Sequence, residues 1–436
     1  MIDGTAPDVK PPGPLTVRTE VIDDPRPLLT MLPGADDRSV FVREGEGEGV
    51  VAAGTVHRFP VGTGAGRLAD LERAIATLAA SATMDDPVGL PGTGLLTLAS
   101  LTFDPAEEGS VAVVPRTVVG RSGDVTWRTT ISDPAASAPE AVDDAVAAGP
   151  PGVPDRPRYA GSSLADEGWL EAVAQALAAI EAGAYEKVVL ARDLRLWSRT
   201  PFDVAGILEA LADRFPSCFT FAVDGLVGAS PERLIERRGS SVRSRVLAGT
   251  ARRGEDATED ARLAAELLTS EKDLREHALA VRSAVGPLAP VCATLDVPDA
   301  PSLVVLDNVQ HLGTELVGTL AGPTHVLELL DRLHPTAAVG GTPREAALAA
   351  IGTLEGMSRG RYAGPVGWCT PDGDGEFAIA LRCAEISGGR ARLLAGAGIV
   401  AGSLPEVELL ETWGKLRAMT GVLGFTPATP DGRERA

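Results

Sequence analysis

Apolar runs of strand length, many closed by Gly- or Asp-rich turns, recur along most of this chain and outnumber its helical segments. That pattern does not fit a regular β–α–β series, in which each strand is followed by a crossover helix. It predicts an α+β domain built on a large mixed or antiparallel sheet. In the first third the runs are VFVREG, GVVAAGTVHRFPV, LLTLASLTF and VAVVPRTVV, with one helix near Leu68–Ala82. Residues 133–163 break the pattern, because Ala, Pro, Asp and Gly dominate and hydrophobic periodicity fades. A solvated connector is expected there. It divides an N-terminal part of the sheet core, residues 1–132, from a region 164–425 where helices and strands alternate, and 426–436 reads as a disordered tail.

Within the second region, Trp169, Leu170, Val173, Leu177 and Ile180 recur at helical spacing and predict an amphipathic helix ending near Gly183. YEKVVLARDLRLW follows as a strand with Lys187, Val189 and Ala191 on one face. FTFAVDGLVGASPERLIE predicts two strands about an Asp-Gly turn, and Ala257 to about Val285 predicts one long helix. SLVVLDNVQHLGTELVGTL is strand-like. From Arg361 to Val400 three strands are expected, separated by PDGDG and SGGR turns. The last helix starts after Ser403, where Ser403 and Glu406 match a capping box with Pro405 in the first turn.

Charge and composition narrow the function. Lys and Arg total 40 against 60 Asp and Glu, a net charge of −20, which argues against binding nucleic acid through phosphate neutralisation. Cys218, Cys292, Cys369 and Cys383 show no metal-ligand spacing and read as reduced, buried thiols. The N-terminal residues lack the basic start and apolar run of a signal peptide, and no stretch reaches the ~18 apolar residues of a membrane span. A cytoplasmic protein with no membrane partner is the expectation.

Two acidic pairs could carry chemistry. Asp273 and Glu276 lie three apart on a helix, and so do Glu408 and Glu411, with Lys415 one turn further on the same face. The ordinary reading of each is a solvated face; the functional one is two helices converging carboxylates on a hard cation such as Mg²⁺. Lys187 interrupts an apolar strand, where a buried lysine can become a base, and Glu232 in GASPERL could supply the matching acid. Gly249, Gly340, Gly341, Gly396 and Gly398 mark places where a ligand or backbone could approach closely. Arg382, in the apolar run FAIALRCA, is the best side chain for gripping a carboxylate, or else sits in a buried salt bridge. His277, His311 and His334 share no zinc spacing and read as satisfied structural histidines.

Nine stretches, YEKVVLAR, GASPERL, LAGTARRG, SEKDLREH, LHPTAAVGGTP, RGRYAGPVGW, EFAIALRCA, ARLLAGAGIV and SLPEVELLETWGKL, resemble in order the chorismate-binding enzymes. That family includes isochorismate, salicylate, anthranilate and aminodeoxychorismate synthases. The likeness spans roughly Tyr185 to Leu423 and leaves the N-terminal third unmatched. It implies two stacked, mostly antiparallel sheets flanked by helices, with Mg²⁺ and chorismate between them. Carried over by residue, Glu276 and Glu411 resemble the direct Mg²⁺ ligands, with Asp273 and Glu408 beside them. Gly249, Thr250, His311, Ala338, Tyr362, Arg382, Gly396, Gly398 and Lys415 resemble the substrate-binding set, the enolpyruvyl group lying nearest Arg382 and Tyr362.

Within that family, Lys187 matches the water-activating lysine and Glu232 the general acid. Anthranilate synthases lack that lysine, and aminodeoxychorismate synthases carry a nucleophilic lysine where this chain has Ala248. Water is therefore the implied nucleophile, with no glutamine amidotransferase subunit, and a monomer is expected. The lyases have Thr or Ser where Ala338 stands, whereas isochorismate synthases have alanine after the same LHPT. The resemblance thus implies Mg²⁺-dependent formation of isochorismate from chorismate, for menaquinone or siderophore synthesis. A salicylate synthase and a non-catalytic chorismate-binding subunit are the alternatives.

Overall fold

The computed structural model describes residues 14–32, 37–133, 156–306 and 309–426. In chain order its strands are β1 (Thr16–Val21), β2 (Ser39–Arg43), β3 (Glu48–Pro60), β4 (Thr83–Asp85), β5 (Thr97–Ser100), β6 (Val111–Ser122), β7 (Val125–Ser132), β8 (Arg158–Tyr159), β9 (Lys187–Trp197), β10 (Phe219–Val223), β11 (Leu226–Ser230), β12 (Arg233–Arg238), β13 (Ser241–Arg252), β14 (Cys292–Asp296), β15 (Ser302–Val305), β16 (Val309–Leu320), β17 (Gly341–Thr342), β18 (Pro365–Cys369), β19 (Gly375–Ile379), β20 (Cys383–Ser387) and β21 (Arg390–Val400). The α-helices are α1 (Arg67–Ser81), α2 (Asp166–Glu181), α3 (Val204–Arg214), α4 (Ala257–Thr269), α5 (Glu271–Leu288), α6 (Val326–Leu333), α7 (Arg344–Leu354) and α8 (Pro405–Val422).

Every described pairing is antiparallel except β1 with β4. One arm of the sheet runs β16–β13–β12–β19–β18. The other runs β10–β11–β20–β21–β9. The N-terminal strands join them, since β5 pairs with β18, β2 pairs with β10, and β5–β6–β3–β2 completes the path. The two expected sheets are therefore one continuous hydrogen-bonded network, and the N-terminal third belongs to both arms. Its Phe41, Val50, Leu98 and Trp127 share a core with Phe221 and Phe377. A second core lies where Leu208 and Leu211 of α3 and Leu416 and Met419 of α8 cover Leu194, Leu393 and Ala395.

Several expected elements differ in ways that matter for the site. The long helix from Ala257 is two helices, because Ser270 leaves helical geometry (ψ 113°) and its hydroxyl accepts from the Asp273 N–H as the cap of α5. FTFAVDGLVGASPERLIE forms three strands, since Pro231 cannot donate to the ladder and β11 ends before it. The run FAIALRCAEIS is not one strand. It breaks at Ala380–Arg382, where Arg382 adopts a left-handed φ of 45°. The Ser403–Glu406 capping box does not form: Leu404 is the cap residue, and the Ser403 hydroxyl accepts from the Val400 N–H instead. Most of the expected connector, and the tail beyond Thr426, lie outside the described residues. Of the connector, Arg158–Tyr159 is a strand paired with Trp197 and Leu196.

Candidate active site

The chain passes from one arm to the other at Pro231–Glu232, between β11 and β12, and back at Ala380–Arg382, between β19 and β20. These two crossings deliver Glu232 and Arg382 to one cavity. Its walls come from both arms: Val189, Leu394, Gly396 and Gly398 on one, Leu247, Gly249, Thr250 and His311 on the other. Glu276 of α5, Glu411 and Lys415 of α8, Ala338 and Tyr362 complete the polar and small-residue lining. Of the residues expected to act, Lys187, Asp273 and Glu408 do not line the cavity.

Glycines make the approach possible. A Cβ on Gly398 would lie 2.3 Å from Glu276 Oε1 and 3.2 Å from Lys187 Cε, so α5 can press its carboxylate onto the strand only at a glycine. There Glu276 Oε1 meets Lys187 Nζ at 3.0 Å, with Lys187 wholly buried behind the cavity wall. Gly249, at φ 78°, is a bulge in β13 against β16, which turns the Ala248–Thr250 backbone into the site. Gly340 and Gly341 serve packing instead: a Cβ at Gly341 would lie 2.2 Å from the Lys187 carbonyl oxygen.

Protonation differs across the site. Burial pushes Glu232 up to about 8, against the pull of the Leu247 N–H and of Lys187, Arg382 and Lys415, so it is a neutral acid at pH 7. Burial would also raise Glu276, but Lys187 in contact, with Lys415 and Lys272 behind, holds it below the usual carboxylate range. Burial raises Glu411 despite Lys415 at 2.7 Å, and Glu408 and Glu276 push it the same way. Asp273 is raised by burial too, with Glu276 and Glu411 adding to it against Ser270 and Lys272. Glu408, 1 % exposed, is paired with Lys272 at 2.8 Å.

Arg382 has no carboxylate partner among the described residues. It donates through Nη2 to His311 Nε2 at 2.7 Å, while its buried Nε has no hydrogen-bond partner. Accepting there leaves the His311 proton on Nδ1, 3.0 Å from Thr250 Oγ1, and burial beside Arg382 and Lys415 holds the ring neutral. An unpaired guanidinium donor at a cavity is chemically suited to a carboxylate. His277 is satisfied structurally, by Ala248 O and Thr314 Oγ1, whereas His334 reaches Phe103 O through Nε2 but its buried Nδ1 has no hydrogen-bond partner, so the expectation of a satisfied ring holds only for His277.

No three Asp, Glu, His or Cys side chains among the described residues form a ready-made metal cage. Mg²⁺ does not need one, since it takes one or two carboxylates and completes its shell with water and substrate oxygens. Glu276 and Glu411, on two helices at one cavity, are the carboxylates that could form such a set. Glu276 pushes Glu411 up and both push Asp273 up, so the carboxylates crowd one another here. The apolar lining (Val189, Leu247, Leu381, Leu394) was not foreseen, because in sequence such residues are indistinguishable from core.

The chain matches the chorismate binding enzyme family over residues 14–424. It is 44 % identical over 270 residues to the isochorismate synthase DhbC of Bacillus subtilis (strain 168), covering 59 % of this chain and 68 % of that protein. It is 42 % identical over 269 residues to the isochorismate synthase MenF of the same organism, covering 61 % and 57 %. The matched stretches thus span between just over half and about two thirds of these relatives. Among solved structures, the menaquinone-specific isochorismate synthase MenF of Escherichia coli superposes with a TM-score of 0.78 at 28 % identity, over 94 % of this chain and 95 % of that one. Anthranilate synthase component I of Streptococcus pneumoniae TIGR4, at 20 % identity over 85 % and 92 %, shares the fold with a TM-score of 0.67.

Proposed function

This chain belongs to the chorismate-binding enzyme family, and from that premise we propose that it converts chorismate to isochorismate by adding water at C2 and expelling the C4 hydroxyl. The observation that carries this reading is Glu232, a glutamate neutral at pH 7 on a cavity whose far wall conceals a lysine. A hydroxyl leaves only if it is protonated as it goes, and Glu232 is the group able to give that proton. Lys187, at the start of β9, is the base for the incoming water.

Arg382, Tyr362 and Lys415 would receive the two carboxylates of chorismate, with the Gly249 and Gly396 backbone beside them. Asp273, Glu276, Glu408 and Glu411 balance Lys187, Lys272, Lys415 and Arg382 in charge. A dianionic substrate therefore fits this site best together with a divalent cation. Glu276 and Glu411 would hold Mg²⁺, with Asp273 and Glu408 behind them, and the metal would supply charge neutralisation at the ring carboxylate. Ala338 favours stopping at isochorismate, because it offers no hydroxyl to assist loss of pyruvate. The isochorismate synthases named above support that choice. One clean reaction tests it: purified protein, chorismate and Mg²⁺, with products separated by chromatography and pyruvate assayed. Isochorismate without pyruvate is expected. Salicylate with stoichiometric pyruvate would make the protein a lyase, and bound but unchanged chorismate would make it a non-catalytic binder.

A further inference from the structure

Strand β9, which begins at Lys187, has an edge that its short neighbour β17 covers only at Val188 and Lys187. Beyond that point the Val189 N–H donates to Gly340 O at 2.7 Å, but the Val189 carbonyl and the Ala191 N–H have no strand to pair with. Two charged side chains take the strand's place. Glu355 Oε1 accepts from the Ala191 N–H at 2.7 Å, and Arg359 Nη2 donates to Val189 O at 2.7 Å. Through Nη1 the same guanidinium donates to Val339 O at 2.8 Å. Its Nε lies 3.0 Å from Glu355 Oε2, and its face covers the Phe103 ring at 4.2 Å. Glu355 is 1 % exposed and Arg359 3 %.

We propose that Glu355 and Arg359 are positioning residues that hold two adjoining pieces of the cavity wall, β9 and the Ala338–Val339 segment, in a set register. A buried ion pair is seldom a gain in stability over apolar packing. What a planar fork adds is geometry: two carbonyls, Val189 O and Val339 O, fixed to one rigid group. Lys187 lies two residues before Val189 on the same strand face, and Ala338 lies one before Val339. The clamp therefore references the base and the wall that decides the fate of the product to one guanidinium. It rests on the function proposed above for its consequence, though not for its geometry.

Arg359→Lys, which keeps the charge and loses the fork, tests this with two readouts. Hydrogen exchange of the intact protein should quicken about tenfold or more in residues 187–192 and 334–341, and remain as in the parent elsewhere. With chorismate and Mg²⁺, kcat should fall about tenfold or more with KM within about threefold, and pyruvate released per isochorismate should rise. Glu355→Gln, which can still accept from Ala191, should give a smaller change of the same kind. Unchanged exchange in both segments, or a uniform rise along the chain with product ratios unaltered, would reduce the pair to a stabilising contact. A parent protein that makes no isochorismate would overturn the proposed function alone, because the exchange pattern still decides the clamp.

Discussion

Glu232 and Glu276 border the same cavity, are both largely buried, and titrate in opposite directions. Around Glu276 the wall is ionic: lysines meet carboxylates in the pairs Lys187–Glu276, Lys272–Glu408 and Lys415–Glu411. Around Glu232 no cation lies at ion-pair distance among the described residues, and the contact of Arg382 nearby is with a neutral imidazole. Desolvation acts on both glutamates; at Glu276 the lysine in contact outweighs it and at Glu232 the charges at longer range do not, while at Glu411, where carboxylates crowd in as well, even Lys415 in contact is outweighed. The result is an ionised carboxylate suited to a metal and a neutral one suited to donating a proton, within one enclosure.

The largest effects should come from deleting either proton carrier. Lys187→Met and Glu232→Gln should each lower kcat by about a hundredfold or more, measured by isochorismate formation, since a positioned acid or base contributes about 10²–10⁴. Turnover within a few fold of the parent in either variant would break the assignment. Stability should then separate the two glutamates. At pH 7, Glu232→Gln removes the cost of keeping protonated a carboxyl that the unfolded chain would ionise, and should raise the unfolding midpoint. Glu276→Gln strips a buried lysine of its partner, so about 3 kcal/mol should be lost in denaturant titrations, together with the response of activity to Mg²⁺. Equal stability losses in both would show that the protonation contrast is wrong.

Next in size are the glycines. Gly398→Ala puts a methyl 2.3 Å from Glu276 Oε1 and should cost about tenfold or more in turnover, whereas Gly396→Ala, whose nearest contact is 3.1 Å, should cost less. The reverse order would mean that the Lys187–Glu276 contact is not what the glycine protects. The mildest test is pH. A general acid must be protonated, so kcat should fall as pH rises through about 8. The native state keeps on Glu232 a proton that the unfolded chain gives up near the ordinary glutamate range. Stability should therefore decline with pH across the window from about 4.5 to about 8, and Glu232→Gln should flatten that decline.

Much of the site was legible because chemistry-bearing residues stood out against apolar surroundings. Lys187 in EKVVLAR, Arg382 in FAIALRCA and the paired glycines of LAGAGIV are costly in a plain strand, and all lie at or behind the cavity. The turns were less legible. Ser270 reads as one polar residue in a long helical pattern, yet its hydroxyl caps a second helix and re-aims Asp273 and Glu276. Arg382 was expected within a strand, but the strand breaks there in a left-handed backbone that no hydrophobic pattern announces. Glu355 and Arg359 gave no signal, since an i,i+4 ion pair after a helix is ordinarily solvated.

By itself the sequence determined the class of fold, most strands and helices, and which side chains were too expensive to bury without a purpose. Those are local matters of period, turn chemistry and desolvation cost. Only the tertiary structure decided that the N-terminal strands stitch both arms into one network, that Glu232 is neutral while Glu276 is charged, and that the Lys187 strand is completed by side chains. Each of these depends on which groups far apart in the chain come within about 3–4 Å of one another, and electrostatics in a desolvated interior is set by that distance.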